Sequence, residues 1–178
     1  MWKPFSAGAA ALLLAAAAPA FGQGAASQLP GGASSLQESH EDWQVSCAVR
    51  DARKSCSISQ QQRQKDSNQL VLAIDLSSGP KDGATGALVL PFGLRLADGV
   101  TLQIDEGKPS PALAFSTCLP AGCIVPLSLD GAFLKALRSG TALKLAAKAE
   151  DGGKGVVLTI SLKGFASAHD RLKALAGS

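Results

Sequence analysis

Four cysteines set in two close brackets constrain this chain more than any other feature. Cys47 and Cys56 enclose eight residues, and Cys118 and Cys123 enclose four. An even cysteine count in an oxidising compartment reads as a disulfide framework, with three pairings open to four cysteines. The local pairing, Cys47–Cys56 with Cys118–Cys123, is favoured. Ala48 to Ser55 has the polar middle of a hairpin tip, and Leu119-Pro120-Ala121-Gly122 holds two strong turn formers. On the chain-entropy account each short loop restricts the unfolded chain by roughly 2–3 kcal/mol. Neither spacing suits a zinc site, and the Cys-x-x-Cys of a redox site is absent, so the cysteines read as structural staples.

The oxidising compartment is implied by the N-terminus. Lys3 precedes an apolar, small-residue run from Phe5 to Ala18, and Ala18-Pro19-Ala20 has the small-x-small pattern of a cleavage site. Residues 1–20 are expected to be a signal peptide, since the run is shorter than the roughly 20 residues of a membrane-spanning helix. No cysteine lies near the cleavage site to carry a lipid, and no later stretch is apolar enough to serve as a transmembrane segment. Export follows as the expectation, to the periplasm first, with the outer-membrane surface or secretion as alternatives.

Residues 21–40 are rich in Gly, Ala, Ser and Gln without an apolar period, and are expected to be a flexible linker. Residues 41–178 are expected to form one mostly β domain, a β-sandwich with two short helices and the two local disulfides. Trp43, Val45 and Cys47 alternate with polar residues, and Cys56 and Ile58 continue the period after a turn. Strands follow at Gln69 to Leu76 and Ala87 to Leu90. A hairpin is expected around Asp98-Gly99, between Gly93–Leu96 and Val100–Ile104, and another from Ala112–Cys118 to Cys123–Leu129. Asp130 caps a short helix ended by Gly140, with Phe133, Leu134 and Leu137 inward and Lys135 and Arg138 outward. Strands at Leu143–Lys148 and Val156–Leu162 flank the turn Glu150 to Gly153. The last helix, Phe165 to Leu175, buries Phe165, Ala168, Leu172 and Leu175, with His169, Asp170, Arg171 and Lys173 elsewhere on its surface. Aromatic residues make up 4% of the chain and tyrosine is absent, so the core rests on Leu, Val, Ile and Ala.

Little in the sequence points to a reaction. Gly-x-Ser-x-Gly, His-Glu-x-x-His and the Walker loop are missing. His40 falls in the linker, His169 on the polar side of the last helix, and Asp105 with Glu106 on a turn. No catalytic set, metal site or cofactor is expected. A net charge of +3 is too mild for a nucleic-acid partner. The first hairpin carries Arg50, Arg53, Lys54, Arg63 and Lys65 against Asp51 and Asp66. As a binding surface it would meet an anionic envelope sugar, phospholipid or acidic protein. As an ordinary solvated hairpin end it would simply block edge pairing, and the small energies of surface charges favour that plainer reading.

Taken in order, several landmarks resemble the invasion-associated locus B family of bacterial envelope proteins. They are Trp43 with Cys47, Cys56 with Ile58 and Gln60, Leu90-Pro91-Phe92-Gly93-Leu94, Asp98-Gly99-Val100 with Asp105, Phe115-x-x-Cys118, Gly122-Cys123, and Ser161-Leu162-x-Gly164-Phe165 with Ala168. The likeness spans about residues 42 to 175. It implies an immunoglobulin-like β fold in a periplasmic, outer-membrane-associated or secreted protein, and a name drawn from host-cell invasion; it brings no catalytic residues. The expected function is a non-enzymatic binding module of the envelope, whose partner is an envelope or host protein or an anionic glycan. The alternative is a structural or stress-buffering envelope protein with no dedicated ligand site.

Overall fold

The computed structural model describes Met1 and residues 29–176; residues 2–20 of the expected signal peptide and residues 21–28 of the expected linker lie outside the described residues. In chain order the strands are β1 (Ser35–His40), β2 (Trp43–Arg50), β3 (Arg53–Arg63), β4 (Leu70–Ser78), β5 (Ala84–Leu90), β6 (Thr101–Ile104), β7 (Thr117–Leu119) and β8 (Gly122–Leu129). Helix α1 (Gly131–Ser139), strands β9 (Ala142–Lys148) and β10 (Gly155–Ser161), and helix α2 (Phe165–Ala176) complete the domain. One antiparallel sheet has the order β1-β2-β3-β4-β5-β8-β7, and a smaller one has the order β10-β9-β6. The fold is mostly β, two sheets in a sandwich-like arrangement with two helices and two local disulfides.

Both disulfides join residues that face each other across a tight hairpin. Cys47 opposes Cys56 and Cys118 opposes Cys123, with Cα separations of 4.1 and 3.9 Å. These are the close separations of facing residues that do not exchange backbone hydrogen bonds. The first hairpin turns through Asp51 and Ala52, both at positive φ (50° and 59°), the mirror-image turn that matches strand twist.

Alternation assigns the faces of the large sheet. Val45, Ile58, Leu76 and Leu127 share one row, and Gln60, Ile74, Leu88 and Val125 share the next. Apart from Gln60 these two rows are apolar and buried, and they face α2 and the small sheet. Gly86 completes the first row because a Cβ there would overlap the carbonyl oxygen of Asp75. Asp130 caps α1 as expected, accepting from the Phe133 N–H at 2.7 Å.

The two sheets meet at the free edge of β10. Ser161, whose backbone points away from β9, is held by two side chains of the large sheet. Trp43 Nε1 and Gln60 Nε2 each donate to the Ser161 carbonyl at 2.9 Å, and Gln60 Oε1 accepts from the Ser161 N–H at 3.2 Å. Gln62 adds a bond to the Thr159 carbonyl. These carboxamides do for the edge what a neighbouring strand would, and so remove it as a pairing template. Trp43 also meets Phe165 edge to face, with ring centroids 5.0 Å apart, which brings α2 to the same point.

Two expectations are corrected. The linker does not extend to residue 40, because Ser35–His40 pairs along its full length with β2. Its inward positions are Leu36, Glu38 and His40. Glu38 receives two 2.7 Å bonds from Arg171 of α2, and His40 Nδ1 lies 3.1 Å from Ser167 Oγ. Such a strand shows no apolar alternation because its inner face meets polar groups of a helix. Nor does Asp98-Gly99 head a hairpin. Leu94 bridges to Ala149 and β6 continues along the same side of β9, with residues 95–100 looping out between them. The turn dipeptide closes that loop, and long-range pairing with β9 decides the strand.

Gln60→Leu is expected to lower the unfolding free energy by about 2 kcal/mol, because the half-buried Ser161 N–H then lacks its acceptor. Gln62→Leu removes a more exposed bond and should cost less. Urea unfolding of both variants measures the difference, and equal losses would contradict the role given to Gln60.

Candidate functional site

Strand geometry splits the five basic residues marked out in the sequence. Arg50 and Arg53 oppose each other at the end of β2–β3, on the outward face with Ser46, Ala48, Ser55 and Ser57. Lys54 opposes Val49 and belongs to the other face of the ladder. Arg63 and Lys65 lie near the far end of β3, roughly 30 Å along the strand from Arg53. Arg63 is spent locally, donating to the Asn68 carbonyl and to Gln61 Oε1. What remains on one surface is the opposed arginine pair. It borders an open concavity of ≈ 550 Å³ lined by Ser46, Cys47, Ala48, Arg50, Asp51, Arg53, Ser55 and Ser57.

The serines of this surface were not singled out from the sequence. Their signal is the same alternation that buries Val45, Cys47 and Ile58, read on the opposite parity. Further along the outward face Ser57 Oγ donates to Asp75 Oδ2 at 2.9 Å. Burial raises the Asp75 carboxyl above the usual carboxylate range, and the Ser57 bond partly opposes that.

The remaining titratable candidates serve the fold. Both oxygens of Asp105 accept from the Thr141 N–H, and Oδ1 also accepts from the Ala142 N–H, closing the corner between α1 and β9. Glu106 pairs with Lys144 at 2.6 Å. His40 is in β1, beside Ser167 and Glu38. His169 is not on a solvated face: it is 8% exposed and stacks on Phe165 at 5.8 Å. Helix α1 covers it, because Arg138 reaches across to bond Asp170 at 2.7 and 2.9 Å and the Ala166 carbonyl at 3.2 Å. Arg138 Nη1 also lies 3.2 Å from His169 Nδ1. A guanidinium only donates, so Nδ1 accepts and the ring proton sits on Nε2. Among the described residues no group of three or more His, Cys, Asp or Glu side chains is placed to hold a metal, and no helix is long and apolar enough to cross a membrane.

Comparison with known proteins gives one consistent result. Residues 43–173 match the family described as Invasion associated locus B (IalB) protein. An Invasion protein B homolog of Brucella abortus is 43% identical over 150 residues, covering 84% of this chain and 86% of the relative. Invasion protein B of Bartonella bacilliformis is 33% identical over 159 residues, covering 88% and 85%. The crystal structure of invasion associated protein B from Bartonella henselae superposes with a TM-score of 0.74 at 35% identity, over 80% of this chain and 97% of that one.

The setting of His169 has a measurable consequence. Burial, then the charges of Arg138 and Lys173, hold its pKa below the ordinary 6.5, against a smaller opposing pull from Asp170. The unfolded chain therefore takes up a proton at higher pH than the folded one does. Stability contributed by neutral His169 is full above about pH 7 and declines as pH falls below the unfolded value. The thermal midpoint should drop as pH falls below about 7, and His169→Gln should flatten that decline. An unchanged slope in the variant would contradict this placement of the ring.

Proposed function

The chain belongs to the invasion associated locus B family, and from that premise we propose that it is an exported, non-enzymatic binding module of the bacterial envelope. The observation that carries the reading is the unequal use of the two faces of the large sheet. The inner face is consumed by the core, α2 and the small sheet. The outward face presents Ser, Gln and Arg side chains on strands fixed by a disulfide. His169, Asp105 and Glu106 each have a structural occupation, which leaves them poorly placed for acid–base chemistry. Export is supported by the signal-like N-terminus and by two disulfides, which persist in oxidising compartments. The periplasm suits these features, as do the outer-membrane surface and release from the cell. The names of the relatives link the family to invasion, and a partner on the envelope or on a host cell fits that link.

Crosslinking in intact cells that express the protein, followed by pull-down, tests the reading. One dominant envelope or host partner is the expected recovery. Recovery of only abundant, unspecific envelope proteins would sink the binding module in favour of a structural or stress-buffering role.

A further inference from the structure

We infer that the outward face of the β2–β3 hairpin is a binding site for an acidic glycan, held by the guanidinium groups of Arg50 and Arg53. This rests on the binding-module reading and names its ligand class.

The chain has six arginines. Arg63 is bonded locally, Arg95 pairs with Glu150, Arg138 with Asp170, and Arg171 with Glu38. Among the described residues the side chains of Arg50 and Arg53 alone of the six arginines have neither a hydrogen bond nor an ion pair. They are also the two that oppose each other directly in the ladder. Like charges facing across strands repel, and this pair has no carboxylate bridging it. Asp51 at the tip borders the same concavity and pairs with neither. An anionic oxygen pair placed between the two forks would relieve the repulsion and match their bidentate geometry.

The neighbouring chemistry selects the carrier of that anion. Ser46, Ser55 and Ser57 line the concavity with hydroxyls; those of Ser46 and Ser55 can donate and accept, and that of Ser57, whose proton goes to Asp75, can accept. The large exposed apolar side chains among the described residues are Met1, Phe92, Leu96, Leu119 and Val157, none of them on this hairpin. A bilayer would find nothing here to insert, whereas a polyhydroxylated chain with carboxylate or sulfate groups finds complementary partners. The site is stiff before it binds, because the Cys47–Cys56 bond ties the two strands three residues behind the arginines, on the opposite face. Less ordering then remains for binding to impose. With no aromatic platform on this face, charge carries the affinity, which falls as salt rises.

The test is calorimetric titration of the purified protein with a heparin-derived decasaccharide at low ionic strength, with neutral dextran as control. The wild type is expected to bind heparin and not dextran. Arg50→Ser with Arg53→Ser is expected to weaken binding about ten-fold or more, while Arg63→Ser with Lys65→Ser leaves it nearly unchanged. The first double variant should keep or raise the thermal midpoint, since it removes a repulsion, so its loss of binding would not reflect misfolding. Three results overturn the inference: no heparin binding by the wild type, equal losses in both double variants, or equally tight binding to phosphatidylglycerol vesicles. If heparin fails while a crosslinked protein partner is recovered, the glycan is wrong and the binding module stands.

Discussion

The grip of Trp43 and Gln60 on the Ser161 backbone is the joint on which the rest of the structure depends. It fixes where the small sheet meets the large one, and it does so at an edge that would otherwise expose unpaired backbone. Four residues after Ser161 the chain reaches Phe165, which meets the Trp43 ring edge to face. Helix α2 is thereby laid across the inner face, and it in turn fastens β1 through Arg171–Glu38 and Ser167–His40. Between the two, Gly164 passes so close to the His40 carbonyl that a Cβ would overlap it, and its φ of 86° favours glycine as well. The landmarks Trp43, Gln60, Ser161, Gly164 and Phe165 are thus parts of one assembly.

That assembly spends the inner face entirely on cohesion. The same alternation that sends Val45, Cys47 and Ile58 inward sends Ser46, Ser57 and Ser59 outward, where only Ser57 is used by a neighbouring strand, through its bond to Asp75. A polar surface on a rigid ladder costs little to maintain. The proposed recognition would fall there, in a fold whose Asp105, Asp130, Arg138 and His169 are engaged in caps, bridges and covers.

Much of this was legible in the sequence for physical reasons. Trp43, Val45 and Cys47 alternate because half of β2 is buried. Pro120 lies in the turn between cysteines that face each other. Asp130 caps a helix whose Leu134 and Leu137 fall on one side. The failures share a cause. β1 was unreadable because its inward residues are satisfied by a helix more than a hundred residues later, and no local pattern records that. His169 looked solvated on its own helix, and only the crossing of Arg138 from α1 shows that it is covered. The basic residues of the hairpin look clustered in sequence, yet the period of two sends Lys54 to the other face and the length of β3 removes Arg63 and Lys65. Distances along the chain misstate distances in a sheet whenever parity or strand length intervenes.

The pairing of the cysteines bears on how such a protein matures. Each disulfide joins consecutive cysteines, separated by 9 and 5 positions, inside a hairpin that needs no distant contact to form. Were the chain exported as proposed, threaded unfolded through a translocase N-terminus first, Cys56 would emerge before Cys118. An oxidase that joins thiols in their order of arrival produces the native connectivity, and no later reshuffling is required. Two pre-closed hairpins are then already present on the leading segments when the final strand and helix arrive to lock the sheets together.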